Sequence, residues 1–362
     1  MKMTKRFLSA VAAVSAMMFC LNAQSISVTN TFGGDTDNLS GNDFITFDED
    51  GKKGDATIAD RLQLDVASEH LDSRVRLDFD GSNDKSGKPT TVQTRGYVNL
   101  RPVQPVNIIA GNKFFTKWAM KQGYLAAFDD NLLNSKLCGD NGAALLVNVS
   151  GLQVAGGFGY ETEMDLNFGA SYTVEDIVAI GATAQNVTNK TRSISGYVGI
   201  LAVENLAVNL GYSYNMKKYD YLPSSEHAAI VSASYSFEDL GLFIAADALV
   251  DLSGRYYSEA SEEFVDREDK DGKYNAFGTA VYASYDVNDT LSVSCKGIIY
   301  NAGKDFKDNK IDNVLSVIVY PSVTFNTDVG ALTTGVRIGF NKDDGYQGFS
   351  VPFSWKYKFK IK

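Results

Sequence analysis

Histidine is scarce in this chain: His70 and His227 are the only two among 362 residues. A histidine-based metal centre or catalytic dyad therefore has little material. Cysteine is almost as rare. Cys20 belongs to the N-terminal segment, which leaves Cys138 and Cys295 for the remainder, too few for a disulfide framework in an exported chain of this size. No regularly spaced calcium-loop pattern is present. After Ala23 no apolar run reaches the roughly 20 residues that a spanning helix needs, and no repeat of fixed period marks a solenoid.

The first residues specify a compartment. Lys2, Lys5 and Arg6 precede an apolar run from Phe7 to Leu21, and Asn22 and Ala23 follow it. A basic region, a short apolar region and a small residue at the cleavage point predict a secretory signal peptide over residues 1–23. Cleavage there removes three positive charges and no negative ones from a chain whose formal net charge is −10. Residues 24–362 then form a single domain.

Beyond Ala23 the dominant signal is a two-residue period, which averages out in any hydropathy window. In "LDSRVRLDFD", Leu71, Ser73, Val75, Leu77 and Phe79 share one face, while Asp72, Arg74, Arg76, Asp78 and Asp80 share the other. "MDLNFGASYTV" and "NLAVNLGYSYN" set large apolar residues against small polar ones in the same way. "DLGLFIAADALVDL" departs from it by putting Phe243 and Leu249 among the inward set. The chain closes on "FSWKYKFKIK", with Phe353, Trp355, Tyr357, Phe359 and Ile361 opposite Lys356, Lys358, Lys360 and Lys362.

Connections alternate between tight and long. "TVEDIV", "AVENLAV", "SFEDLGL" and "DVNDTL" carry Asn, Asp and Glu, residue types that suit tight hairpins. Between them lie polar stretches such as "GGDTDNLSGNDFITFDEDGKKGD" and "SGRYYSEASEEFVDREDKDGK". Tyr172, Tyr235 and Tyr285 each stand two residues before the last apolar residue preceding a short turn, the height of an interfacial aromatic girdle. The pattern predicts an all-β fold: a closed antiparallel transmembrane β-barrel of about 18 strands, with 16 the next even count. A soluble sandwich also alternates, but its strands cluster near five or six residues, and these run longer.

In these features the chain resembles bacterial outer-membrane porins. The resemblance covers essentially all of residues 24–362 and rests on architecture, with no sharp motif. It implies short periplasmic turns and long outer loops, location in the outer membrane of a diderm bacterium, contact with outer-membrane lipid, and a homotrimer as in general porins. It also implies recognition of the last strand by the barrel insertion machinery through Trp355, Tyr357 and Phe359, although the chain ends on Lys362 where the family pattern has an aromatic residue. In porins the third outer loop commonly enters the lumen. The equivalent here, over 115–141, contains Trp118, Met120, Tyr124, Leu125 and Phe128, too apolar for free solvation, and "KWAMKQGYLAAF" suits one or two helical turns. An outer cap on the rim or on a neighbouring subunit is the alternative.

If that loop lies inside, Asp129 and Asp130 are its constriction charges. The pore-lining wall opposite would hold Arg61, Arg74, Arg76, Arg95, Arg337 and Lys356, giving a field across a narrow aqueous passage. Neutralisation by Asp65, Asp72, Asp78 and Asp80 is the competing reading of the same alternation.

The expected function is passive diffusion of ions and small hydrophilic solutes, with no cofactor, metal or nucleic acid. A surface adhesin or structural barrel acting through acidic loops is the alternative. A hydrophobic-substrate transporter fits less well, because the lumenal residues are polar and Gln24 to Phe32 reads as a strand, not a plug. An enzyme fits least: His70 falls at a short turn and His227 near an outer rim, neither with an identifiable serine and acid partner.

Overall fold

The computed structural model describes residues 25–33, 45–48, 57–82, 91–112, 124–128, 130–131, 141–160, 164–216, 224–258, 260–269, 272–301, 313–328, 330–342 and 345–361. The signal segment 1–23, Asp129, Cys138 and Lys362 lie outside the described residues. The main sheet is a ring of 18 antiparallel strands. The first nine are β1 Ser25–Gly33, β2 Thr57–Ala67, β3 Leu71–Ser82, β4 Thr91–Leu100, β5 Val106–Asn112, β6 Asn141–Val149, β7 Leu152–Tyr160, β8 Met164–Val174 and β9 Val178–Gln185. There follow β10 Ser193–Ile200, β11 Leu206–Met216, β12 Ser225–Phe237, β13 Leu242–Asp251, β14 Phe277–Asn288, β15 Leu291–Tyr300 and β16 Ser316–Thr327. Strand β17 runs Gly330–Gly335 and Arg337–Asn341, and β18 runs Gly345–Val351 and Phe353–Ile361.

Each strand pairs with its neighbours in sequence, and the ring closes where β1 meets β18, from Ile26↔Ile361 to Gly33↔Ser354. The terminal strand therefore has a partner on both sides over residues 354–356, and from Tyr357 to Ile361 it pairs with β1. Strand β18 breaks at Pro352, which has no N–H to give the ladder. Its partner changes at the break: Ile45–Asp48 pairs with Gly348 to Val351 and prolongs the line of β1.

Parity around the ring sorts the side chains. Val154, Phe158, Phe168, Ile180, Val198, Leu210 and Val281 point outward and are exposed, whereas Asn167, Thr183, Ser195, Asn209 and Ser213 point inward and are buried. Ser195 and Ser213 face each other across the β10–β11 ladder and share a 2.7 Å hydrogen bond. A contiguous exposed apolar band of this extent is at odds with an aqueous surround and suits lipid. Val66, Leu71 and Leu77, on the outward parity of β2 and β3, are exceptions and are buried. Tyr172 and Tyr285 are each 45% exposed on the outer surface, close to short turns, and Tyr235 packs edge-on against Phe237 at 4.5 Å.

Six of the eight tight turns carry Asn, Asp or Gly, whereas residues 68–70 and 101–105 turn without them. Asp176, Asn205 and Gly241 adopt left-handed φ values of 56°, 61° and 62°, a conformation these residues take at least cost. The opposite end is less regular than the sequence suggests. The β7–β8 and β17–β18 connections span only 161–163 and 342–344, so long and short links do not strictly alternate.

Candidate functional site in the barrel lumen

The inner wall has two unlike halves. On β12 to β16 it carries an apolar patch: Ile230, Leu249, Ile298 and Ile318 point inward and are buried, Leu249 and Ile298 at 0% exposure. An aqueous pore would not bury such residues, and what covers them is the third loop. Leu125, Ala127 and Phe128 join the same apolar cluster, with Phe243 and Tyr282 packed at its border. The two residues that break the pattern of "DLGLFIAADALVDL", Phe243 and Leu249, thus have a physical reason: one borders the loop's seat and the other is part of it.

The loop is also held by hydrogen bonds. Asp247, 2% exposed on the inward face of β13, accepts from the N–H of Ala127 at 2.6 Å and of Phe128 at 2.8 Å through Oδ2. Its Oδ1 accepts from the Ser232 hydroxyl at 2.5 Å, and Ser232 Oγ in turn lies 3.4 Å from the N–H of Ala126. A carboxylate taken out of water needs such charge-assisted donors. Tyr124–Leu125 pairs with Asp130–Asn131, and residues 126–128 form the turn between them. The helical expectation is therefore corrected over these residues: the N–H groups that a helix would spend on its own carbonyls go to Asp247. Asp130 pairs with Leu125 in this ladder; its side chain, like Asp129, lies outside the described residues.

The other half of the wall is charged. The inward row Ser27, Asp65, Arg74 and Tyr97 runs across β1 to β4. Arg74 Nε pairs with Asp65 Oδ1 at 2.5 Å, and the guanidinium stands 5.9 Å from the Tyr97 ring centroid. Arg76 occupies the next row, between Gln63 of β2 and Arg95 of β4. Arg61 lies opposite Asp78 and Thr31, and Thr31 lies opposite Lys356, so closure brings the two ends of the chain into one row. Arg337 stands apart, opposite Ser350 and six residues along β18 from Lys356. In a ring of 18, β3 and β12 are diametrically opposed, so the arginines face the wall on which the loop is seated.

Sequence reasoning passed over Asp247, Asp251 and Arg267. Asp247 carried a signal, a lone carboxylate between inward Ala245 and Leu249. Asp251, four residues on, is fully buried and pairs with Arg267 Nε at 3.0 Å. Its Oδ1 accepts from Ser225, Ser253 and Gly254, which ties the outer connection 252–276 to the barrel. In that connection Arg255–Ser258 pairs with Glu263–Asp266 as a hairpin. Cys295 is exposed on the outward parity, as its apolar neighbours suggest, and carries no disulfide. Among the described residues no group of three or more His, Cys, Asp or Glu is arranged to hold a metal.

No protein-family model and no curated protein matches the sequence. Solved structures do match the fold. The outer membrane protein OpdK of Pseudomonas aeruginosa superimposes with a TM-score of 0.61 at 9% identity, over 94% of this chain and 100% of that one. OpdO of the same organism gives 0.61 at 10% identity over 94% and 98%. OccAB4 of Acinetobacter baumannii gives 0.59 at 10% identity over 93% and 97%. At these identities the likeness is one of fold, and that fold is the barrel architecture of outer-membrane porins.

Proposed function

We propose that the protein is a non-enzymatic outer-membrane channel through which ions and small hydrophilic solutes diffuse passively. The observation that supports this reading is the turn 125–128, held by Asp247 against an apolar patch of the inner wall, opposite a wall that carries the arginines. A structural barrel or adhesin has no need of a buried carboxylate devoted to a loop in its lumen. Arg76 and Arg95 directly oppose each other on neighbouring strands. This places two guanidinium groups side by side on the inner wall, where positive charge attracts anions. One structural neighbour, OpdK, has been crystallised with vanillate, an aromatic carboxylate, and small organic anions are the solute class to test first here.

Reconstitution of the purified protein into planar bilayers tests the proposal. Stepwise conductance with an anion-leaning reversal potential is expected. Correctly folded protein that gives no conductance steps would overturn the channel reading and leave the adhesin reading in its place.

A further inference from the structure

A groove of about 620 Å3 lies at the outer rim, between the β9–β10 connection and the hairpin of residues 255–266. It is separate from the lumen: its floor includes Tyr214, on the outward face at the outer end of β11. Phe264 packs against Tyr214 with centroids 5.7 Å apart, and Tyr257 meets Phe264 edge-on at 5.6 Å. Three aromatic rings thus line a cleft whose size falls within the roughly 300–1,000 Å3 of small-molecule sites.

The lip is polar and carries both signs. Lys190, from the β9–β10 side, pairs with Glu262, from the hairpin side, so an exposed ion pair bridges the two walls. Arg192 and Glu263 also line the groove, and among the described residues their side chains make no hydrogen bond or ion pair. Arg255 is committed elsewhere, to Glu226 at 2.8 Å and to the Phe264 carbonyl at 3.0 Å, which fixes the hairpin in place. A free anion would find Glu263 beside Arg192, and a free cation would find the reverse. A ligand with an apolar ring face and hydroxyls that both donate and accept satisfies the whole set: the face lies on the aromatic floor, the hydroxyls take guanidinium donors and carboxylate acceptors.

We infer that this groove binds a neutral saccharide. Its place on the outward side of the rim, above the apolar band, admits two sources of that chemistry: a soluble oligosaccharide, or the sugar headgroup of a glycolipid in the same membrane.

The test uses the full barrel in phosphatidylcholine nanodiscs. Isothermal titration with maltohexaose, cellohexaose and xylohexaose is read first, then the same discs are prepared with a neutral glucosyl diacylglycerol and co-purification of the glycolipid is measured. Saturable binding of a soluble hexaose assigns the soluble source; retention of the glucosyl lipid without hexaose binding assigns the headgroup. Either is expected to weaken about tenfold or more in Phe264→Ala and in Arg192→Gln, and to persist in Lys273→Gln, which lies in the same connection outside the groove. Tyr257→Ser serves as the second aromatic variant if Phe264→Ala fails to fold. Absence of both kinds of binding, binding indifferent to these substitutions, or equally sensitive binding of a zwitterionic dipeptide in place of the sugars would each overturn the inference. Conductance is unaffected in all cases, so failure here leaves the channel proposal standing.

Discussion

Asp247 and Phe128 meet across the lumen: the carboxylate of β13 accepts the Phe128 N–H at 2.8 Å, and both residues are buried. A loop leaving the barrel between β5 and β6 is thereby fastened to the far wall, where its apolar side chains complete a seat of inward Ile and Leu. The loop's place in the lumen depends on this attachment.

Asp247→Ala removes the acceptor of two buried N–H groups, each of which costs about 1–3 kcal/mol when left unsatisfied. The turn is expected to detach and solvate its donors. Single-channel recording should show a larger and noisier unitary conductance than the parent, with the barrel itself still folded as judged by its strand signature in circular dichroism.

The pair Asp251–Arg267 carries the outer connection instead. Removing one member of a buried ion pair costs about 3–5 kcal/mol, and Asp251→Ala is expected to cost more than Arg267→Met. Asp251 also accepts from Ser225, Ser253 and Gly254, and these donors would lose their partner with it. Limited proteolysis within residues 252–276 is the direct readout: cleavage should rise in both variants and most in Asp251→Ala.

Changing Arg74 and Arg76 together to Ser should move the reversal potential in a salt gradient toward cation preference. Arg74→Ser alone should move it in the same direction but less far, because it removes one positive charge and not two, leaving Asp65, its partner at 2.5 Å, uncompensated. An unchanged potential in the double variant would show that the arginines are structural.

Two exposed ion pairs set a pH window for the outer connections. The Lys190 ammonium, as a hydrogen-bond donor, holds the Glu262 carboxyl below its ordinary range, and Lys273 does the same for Asp266. A depressed carboxyl pKa contributes stability that is present above the unfolded value and is lost as pH falls through the folded one. The partner lysines are raised, and their contribution is lost only as pH rises through values above 10.5. Carboxyl carbon NMR should therefore place the Glu262 and Asp266 midpoints below 4.5 and 3.8, and Lys190→Gln should return Glu262 to the ordinary range.

Much of the barrel is a local property, and the sequence determined it. Outward and inward faces follow from a two-residue period because successive side chains in a strand point to opposite sides. The turn at Asp176 follows from a residue that tolerates positive φ, and the meeting of β1 with β18 follows from a ring with no other partner for either strand. Loop attachment is of another kind. Ala127 and Asp247 are 120 residues apart, and nothing local distinguishes an aspartate that takes two loop N–H groups from one that faces water. The same holds for the groove, whose rings come from β11 and from a hairpin some fifty positions later. Only closure of the sheet puts these residues face to face, because it sets which strands stand opposite one another and which connections share a rim. Asp247, Asp251 and Phe264 were therefore decided by the tertiary structure, while the row of Arg74 and Arg76 was already legible in the alternation of β3.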